Sequence, residues 1–182
     1  MPCLRQDSEC AVDLALGGCD AVDRRRHVVK GGKGAMLREK LVRDCAATWV
    51  VVCDETKVTD AIGESYPIPV EIAPAYHQRT LRRIANLESL GPCDARLRHG
   101  NAPAGLPGCA MPGDKDFAPF KTDNGNLIVD LFLQKPLVDV SRAADDLSRT
   151  SGVVEHGLFP ADDALGASIV LVGRETGAVT RL

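Results

Sequence analysis

The chain has 182 residues, 45% hydrophobic and 26% charged, so it can bury a core of its own and falls outside the disordered class. Lys and Arg total 22 against 25 Asp and Glu, and a net charge of −3 argues against a globally basic nucleic-acid binder. Aromatic residues are only 4%, so aliphatic side chains must fill the interior. In chain order, Val12 to Leu16 alternates and runs into Gly17-Gly18-Cys19-Asp20, which predicts a strand ending in a turn. After the polar run Arg24 to His27, Val28-Val29-Lys30 leads through Gly31-Gly32-Lys33-Gly34 into a helix over 35–49. On that helix Leu37, Leu41, Cys45 and Trp49 form one edge of an apolar face, Ala35, Val42 and Ala46 form the other, and Glu39 falls on the border. Val50 to Cys53 is a short, continuous apolar run of the kind that makes a buried parallel strand. Strand, glycine loop, helix and strand together predict a βαβ unit.

From Tyr66 the pattern changes. Pro67 and Pro69 mark an extended segment over 68–72, and a helix over 75–90 stops at Gly91-Pro92. Strands are predicted over 94–99 and 126–133, separated by a Gly- and Pro-rich loop over 100–114. A short helix over 141–150 and a strand over 152–159 complete the order β-α-β-β-α-β, the split βαβ or ferredoxin-like pattern. Final strands over 167–173 and 178–182 return to the first sheet.

The seven cysteines are odd in number and no two lie two to four residues apart. That spacing excludes a zinc ribbon or a Cys-x-x-Cys redox motif and suits a reducing compartment, read as the cytoplasm. The longest uncharged stretch, Cys45 to Cys53, is too short to span a bilayer, so no membrane partner is expected. The loop from Lys30 to Gly34 before a helix is an anion site in outline: glycines admit close backbone approach, the helix start exposes N–H groups, and two lysines add charge. By itself this pattern fits a structural turn better than a ligand loop. His27, His77 and His99 share no spacing that would hold a metal, and His156 sits in a predicted strand, where a structural role is expected.

Three segments carry a more specific likeness: Gly17 to Asp23, Lys30 to Lys40, and Asp54-Glu55-Thr56-Lys57 resemble the motifs of type A ribose-5-phosphate isomerase. Pro67 to Glu71, Thr122 to Asn126 and Gly152 to Phe159 resemble that family's later motifs in the same order. The resemblance implies an α/β fold: a partial Rossmann-like parallel core over 1–65 plus 160–182, with an inserted ferredoxin-like α+β domain over 66–159. It implies an aldose-ketose isomerase that converts ribose 5-phosphate to ribulose 5-phosphate through an enediolate, in the non-oxidative pentose phosphate pathway, without metal or organic cofactor. Glu39 matches the general base, and a border position that partly desolvates a carboxylate suits that task. Lys30 matches the lysine that stabilises the developing oxyanion. Asp20 matches an aspartate that assists ring opening and hydroxyl positioning. Gly31, Gly32, Lys33 and Gly34 match the substrate-binding loop, and Lys57 matches a lysine at the substrate end. The expected partner is a small sugar phosphate, with neither nucleic acid nor membrane, in a homo-oligomer.

Three departures from the family pattern stand out. Gly17 replaces the first aspartate of a paired motif, Lys33 interrupts the glycine run, and the family's N-terminal Gly-Thr-Gly-Ser-Thr type phosphate loop is expected to be missing. Loss of the preceding strand–helix units would leave a sheet edge and apolar faces exposed. The alternative reading is therefore an impaired or truncated homologue that binds a sugar phosphate or forms oligomers without turnover. The segment over 101–116 reads as an inserted exposed loop. Nucleic-acid binding through Arg24 to Arg26 is disfavoured by the short run, the acidic chain and the lack of interleaved aromatics.

Overall fold

Alternating and helical periodicities sort the chain into three sheets and three α-helices among the described residues, which in this computed structural model are 12–103, 106, 109–115, 117–162 and 166–182. The first group is β1 (Val12–Gly17), β2 (Ala21–Asp23), β3 (Val28–Val29), α1 (Met36–Asp44), β4 (Ala46–Asp54) and β5 (Val58–Thr59). The second is β6 (Ile68–Ile72), α2 (His77–Ala85), β7 (Cys93–Leu97), β8 (Leu127–Leu133), α3 (Val140–Ser148) and β9 (Val153–His156). β10 (Leu158–Phe159), β11 (Ile169–Gly173) and β12 (Val179–Arg181) follow.

The second group pairs in the order β7-β8-β6-β9, antiparallel throughout. This is the strand order of the split βαβ unit, with α2 and α3 as its crossovers. Ile68, Val70, Ile72 and Leu131 of the sheet share one core with Ile84 of α2 and Leu147 of α3. In the first group β1, β4 and β11 are parallel neighbours, and β12 returns antiparallel on β11, as expected for the final strands. The architecture is a mixed α/β fold with parallel strand pairs in its first sheet.

Several details differ from the pattern reading. The helix predicted over 35–49 ends at Asp44, and Ala46 to Trp49 open β4 instead. Thr48 to Val52 is rich in β-branched and aromatic residues, and β4 is bonded on both sides, to β1 and β11, which outweighs helical periodicity. The apolar face of α1 is also reversed. Met36, Lys40 and Arg43 are buried, while Leu41 is 57% exposed. The Lys40 ammonium lies 2.6 Å from Glu155 Oε1 of β9, an ion pair that turns the Leu41–Val42 edge outward. On the sheet, Ala15, Trp49 and Val51 face the core, whereas Leu14, Leu16 and Val52 face outward, with Leu16 68% exposed. Among the described residues β1 pairs on one side only, with β4, and these outward apolar side chains border its other edge.

In the βαβ unit the strand parallel to β4 and preceding α1 is β1, with β11 parallel on the other side of β4, while β3, next to the glycine loop, belongs to another sheet, β10-β3-β2-β5. Strands β2 and β5, of two or three residues, leave no period in the sequence and were not anticipated. The strand predicted over 152–159 divides at Gly157. There the Lys30 N–H donates to the Gly157 carbonyl at 2.9 Å and the Gly157 N–H to the Pro69 carbonyl at 2.8 Å, so the chain steps from one sheet to another. The helix predicted over 75–90 ends at Ala85, where the Asn86 side chain donates to the Arg82 carbonyl at 2.6 Å, and resumes as a 3₁₀ turn at Glu88–Leu90. The 100–114 loop holds one isolated bridge, Gly100 to Cys109, and is flanked by another, His99 to Pro119; Ala104, Gly105, Pro107 and Gly108 lie outside the described residues.

Candidate active site

The site begins with a short hairpin. β2 and β3 pair antiparallel, and the Asp20 N–H donates to the Val29 carbonyl at 2.8 Å, so Asp20 and Lys30 stand side by side although ten positions apart. The chain then turns through the glycine loop into α1, whose first turn carries Glu39. Gly34 requires its residue type: φ is +89°, and a Cβ would lie 2.6 Å from the Phe120 ring.

An open cleft of about 260 Å³ results. Lys30, Asp20 and Glu39 line it, as do Gly31, Gly32 and Lys33. Lys30 is buried, and its Nζ lies 3.0 Å from Glu39 Oε1 and also donates to the Gly18 carbonyl. The other Glu39 oxygen, Oε2, is buried without a hydrogen-bond partner. A group that brings a proton or a hydroxyl to that oxygen would satisfy it. Asp20 accepts from the Gly32 N–H through Oδ2 at 2.7 Å, which orients its carboxylate. Lys33 is exposed at the cleft.

Two candidate residues fall elsewhere. Gly34 does not line the cleft but packs under Phe120. Lys57 closes the 3₁₀ turn Glu55–Lys57 after β4, close enough to Cys53 for its charge to act on that thiol. At Gly17, the position of the absent aspartate, a Cβ would stand 3.4 Å from Lys30 Nζ, an ordinary contact, so a side chain there has room beside the lysine.

Pattern reading missed four contributors. The Gly18 carbonyl anchors Lys30, and no side-chain signal could reveal it. Cys19 lines the cleft and pairs with Cys53 at the carboxyl ends of β1 and β4; burial first, then Cys53, pushes its thiol far up. Tyr66 crowds Gly32 beside Asp20, and burial followed by the Asp20 charge pushes its phenol up to about 12. Arg98, fully buried, donates to the Gly32 carbonyl at 2.6 Å. Nothing in the strand predicted over 94–99 singles it out.

The family model described as ribose 5-phosphate isomerase A (phosphoriboisomerase A) matches residues 1–177. The chain is 35% identical over 175 residues to a probable chloroplastic ribose-5-phosphate isomerase 3 of Arabidopsis thaliana, covering 96% of this chain and 57% of that protein. The solved ribose 5-phosphate isomerase of Plasmodium falciparum superposes with a TM-score of 0.81 at 26% identity, covering 97% of this chain and 67% of that one. A D-ribose-5-phosphate isomerase in complex with phospho-erythronic acid superposes with a TM-score of 0.77 at 30% identity, covering 94% and 65%. The chain therefore spans little more than half the length of the Arabidopsis relative. By the match over residues 1–177, the chain belongs to the ribose 5-phosphate isomerase A family.

Proposed function

We propose that this chain interconverts ribose 5-phosphate and ribulose 5-phosphate, as the names of its relatives suggest, by moving a proton between C2 and C1 through an enediolate. The observation that carries the reading is the split duty of Glu39: Oε1 is held by Lys30, and Oε2 is buried without a partner. In this reading Oε2 takes the proton from one carbon and returns it to the next. Lys30, fixed by Gly18 and Glu39, offers its charge to the oxyanion that develops beside them. Asp20, pinned by the Gly32 N–H, holds a sugar hydroxyl with its other oxygen. Lys33, exposed at the cleft, supplies positive charge for the phosphate end, and Lys57 adds to it only from outside the cleft. The phospho-erythronic acid bound by a structural neighbour is an acyclic phosphorylated acid, in keeping with a ring-opened substrate.

The antiparallel unit over 66–159 is read as a lid on a core formed by 1–65 and 160–182, and the protein as a homo-oligomer acting in the cytoplasm. The free thiols of Cys19, Cys45, Cys53, Cys93 and Cys109 suit that compartment. No helix among the described residues is long and apolar enough to cross a membrane. A coupled assay of ribose 5-phosphate with the purified chain tests the activity. Turnover that Glu39→Gln abolishes supports it. Binding of the sugar phosphate without turnover favours the non-catalytic reading instead, to which Gly17 lends weight by leaving Lys30 one carboxylate short of the family motif.

A further inference from the structure

Gly32 is held at both of its backbone polar groups. Its N–H donates to Asp20 at 2.7 Å and its carbonyl accepts from Arg98 Nη1 at 2.6 Å. Arg98 stands just beyond β7, its own N–H on the Ile128 carbonyl at 2.9 Å, so it belongs to the antiparallel sheet and not to the loop it grips. Its remaining nitrogens form a two-pronged pair with Asp130 of β8, Nε to Oδ2 at 2.8 Å and Nη2 to Oδ1. Both side chains are almost completely buried.

A buried ion pair is weak evidence for stability, because removing two charges from water offsets most of their attraction. Such a pair calls for another reason, and the third arm of the guanidinium supplies one. A planar fork can meet a carboxylate with two nitrogens while a third, rigid in the same plane, points at a carbonyl; an ammonium is a point charge without that two-pronged match. Asp20, Tyr66, Arg98 and Asp130 also form one electrostatic group. The Asp20 charge is felt at Tyr66 and at Asp130, whose carboxyl is pushed up first by burial and drawn down by Arg98.

We propose that Arg98, braced by Asp130, is a positioning residue that fixes Gly32 of the glycine loop and thereby the orientation of the Asp20 carboxylate in the cleft. Through it the antiparallel unit sets the geometry of a site built on the other sheets. The proposal rests on the isomerase reading only for its kinetic consequence; the loop geometry is independent of it.

The test uses two variants of the whole chain. Arg98→Met combined with Asp130→Leu removes both charges together, so no buried charge is orphaned. Arg98→Lys keeps a cation but loses the fork. Circular dichroism and thermal melting establish that each is folded, and Arg98→Lys carries the test if the double variant is not. The expected result is a kcat on ribose 5-phosphate lower by about tenfold to a hundredfold, with KM within about threefold, since misplacing a group by about 1 Å costs rate more than binding. The Gly32 amide should also exchange with solvent at least about tenfold faster than in the parent. A folded variant with kcat within about twofold of the parent, or with unchanged Gly32 exchange, overturns the proposal. If the parent itself shows no turnover, the isomerase reading fails, and Gly32 exchange alone decides whether Arg98 fixes the loop.

Discussion

The Lys30 ammonium lies 3.0 Å from Glu39 Oε1, joining the end of β3 to the first turn of α1 across the cleft. The pair holds a cation and a carboxylate in one place before any substrate arrives, which is what the proposed enediolate reaction requires. Lys30→Met should leave the chain folded and lower kcat by about 10²–10³-fold, the usual effect of losing one fixed oxyanion partner. Steady-state kinetics by the coupled assay check this, and a variant retaining more than a tenth of the parent rate would remove Lys30 from the chemistry.

Gly17 offers the opposite experiment. A Cβ at this position would make ordinary contacts with Lys30 Nζ at 3.4 Å and Trp49 Nε1 at 3.5 Å. Gly17→Asp should therefore be accommodated and place a second carboxylate beside Lys30. The expected outcome is a several-fold rise in kcat with an unchanged melting temperature. A fall in kcat would mean that the added charge draws Lys30 away from Glu39.

Gly34→Ala should destabilise. The residue occupies φ +89°, which a side chain rarely adopts, and its Cβ would be driven against Phe120. Strain of this kind costs about 1–3 kcal/mol. A melting-temperature fall of several degrees is expected, with activity lost alongside because the loop before α1 must shift. An unchanged melting point would show that the loop adapts freely.

His156 sets a pH dependence. Burial, then the neighbouring Lys40 charge, pushes its imidazole down from 6.5 to about 3. The unfolded chain therefore binds a proton that the folded chain refuses between those values. Stability from this group is complete above about pH 6.5 and is lost as pH falls toward 3, by up to about 1.4 kcal/mol per pH unit. Urea unfolding at pH 7, 6 and 5 should show this slope in the parent and a shallower one in His156→Gln.

Cys19 should react slowly with alkylating agents. Its thiol is half-buried and pushed up by burial, whereas Cys45 is exposed. Peptide mapping after brief iodoacetamide treatment at pH 7.5 should find Cys45 modified well before Cys19. Equal labelling would mean that the β1–β4 end opens readily.

Much of this was legible in local pattern. The β-α-β-β-α-β order was readable because β6, β8 and α3 are long enough to show a period and are bounded by Gly and Pro. The glycine loop announced itself before α1, and the motif around Glu39 marked it as the candidate base. The buried side of α1 was not legible, because Lys40 and Arg43 look like solvent-facing residues until Glu155 and the Ala46 carbonyl are brought to them. Nor were β2 and β5, too short to carry alternation.

The sequence by itself determined the kinds of elements, the order of the antiparallel unit and the residue types of the site, since each is written in spacings of a few positions. Tertiary structure decided which of those residues meet. Asp20 and Lys30 are joined by a hairpin of very short strands, and Glu155 comes to Lys40 from 115 positions away. Arg98 reaches Gly32 from 66 positions away. Contacts of that range depend on how sheets stack and where a buried charge can find all its partners, and neither leaves a local period in the chain.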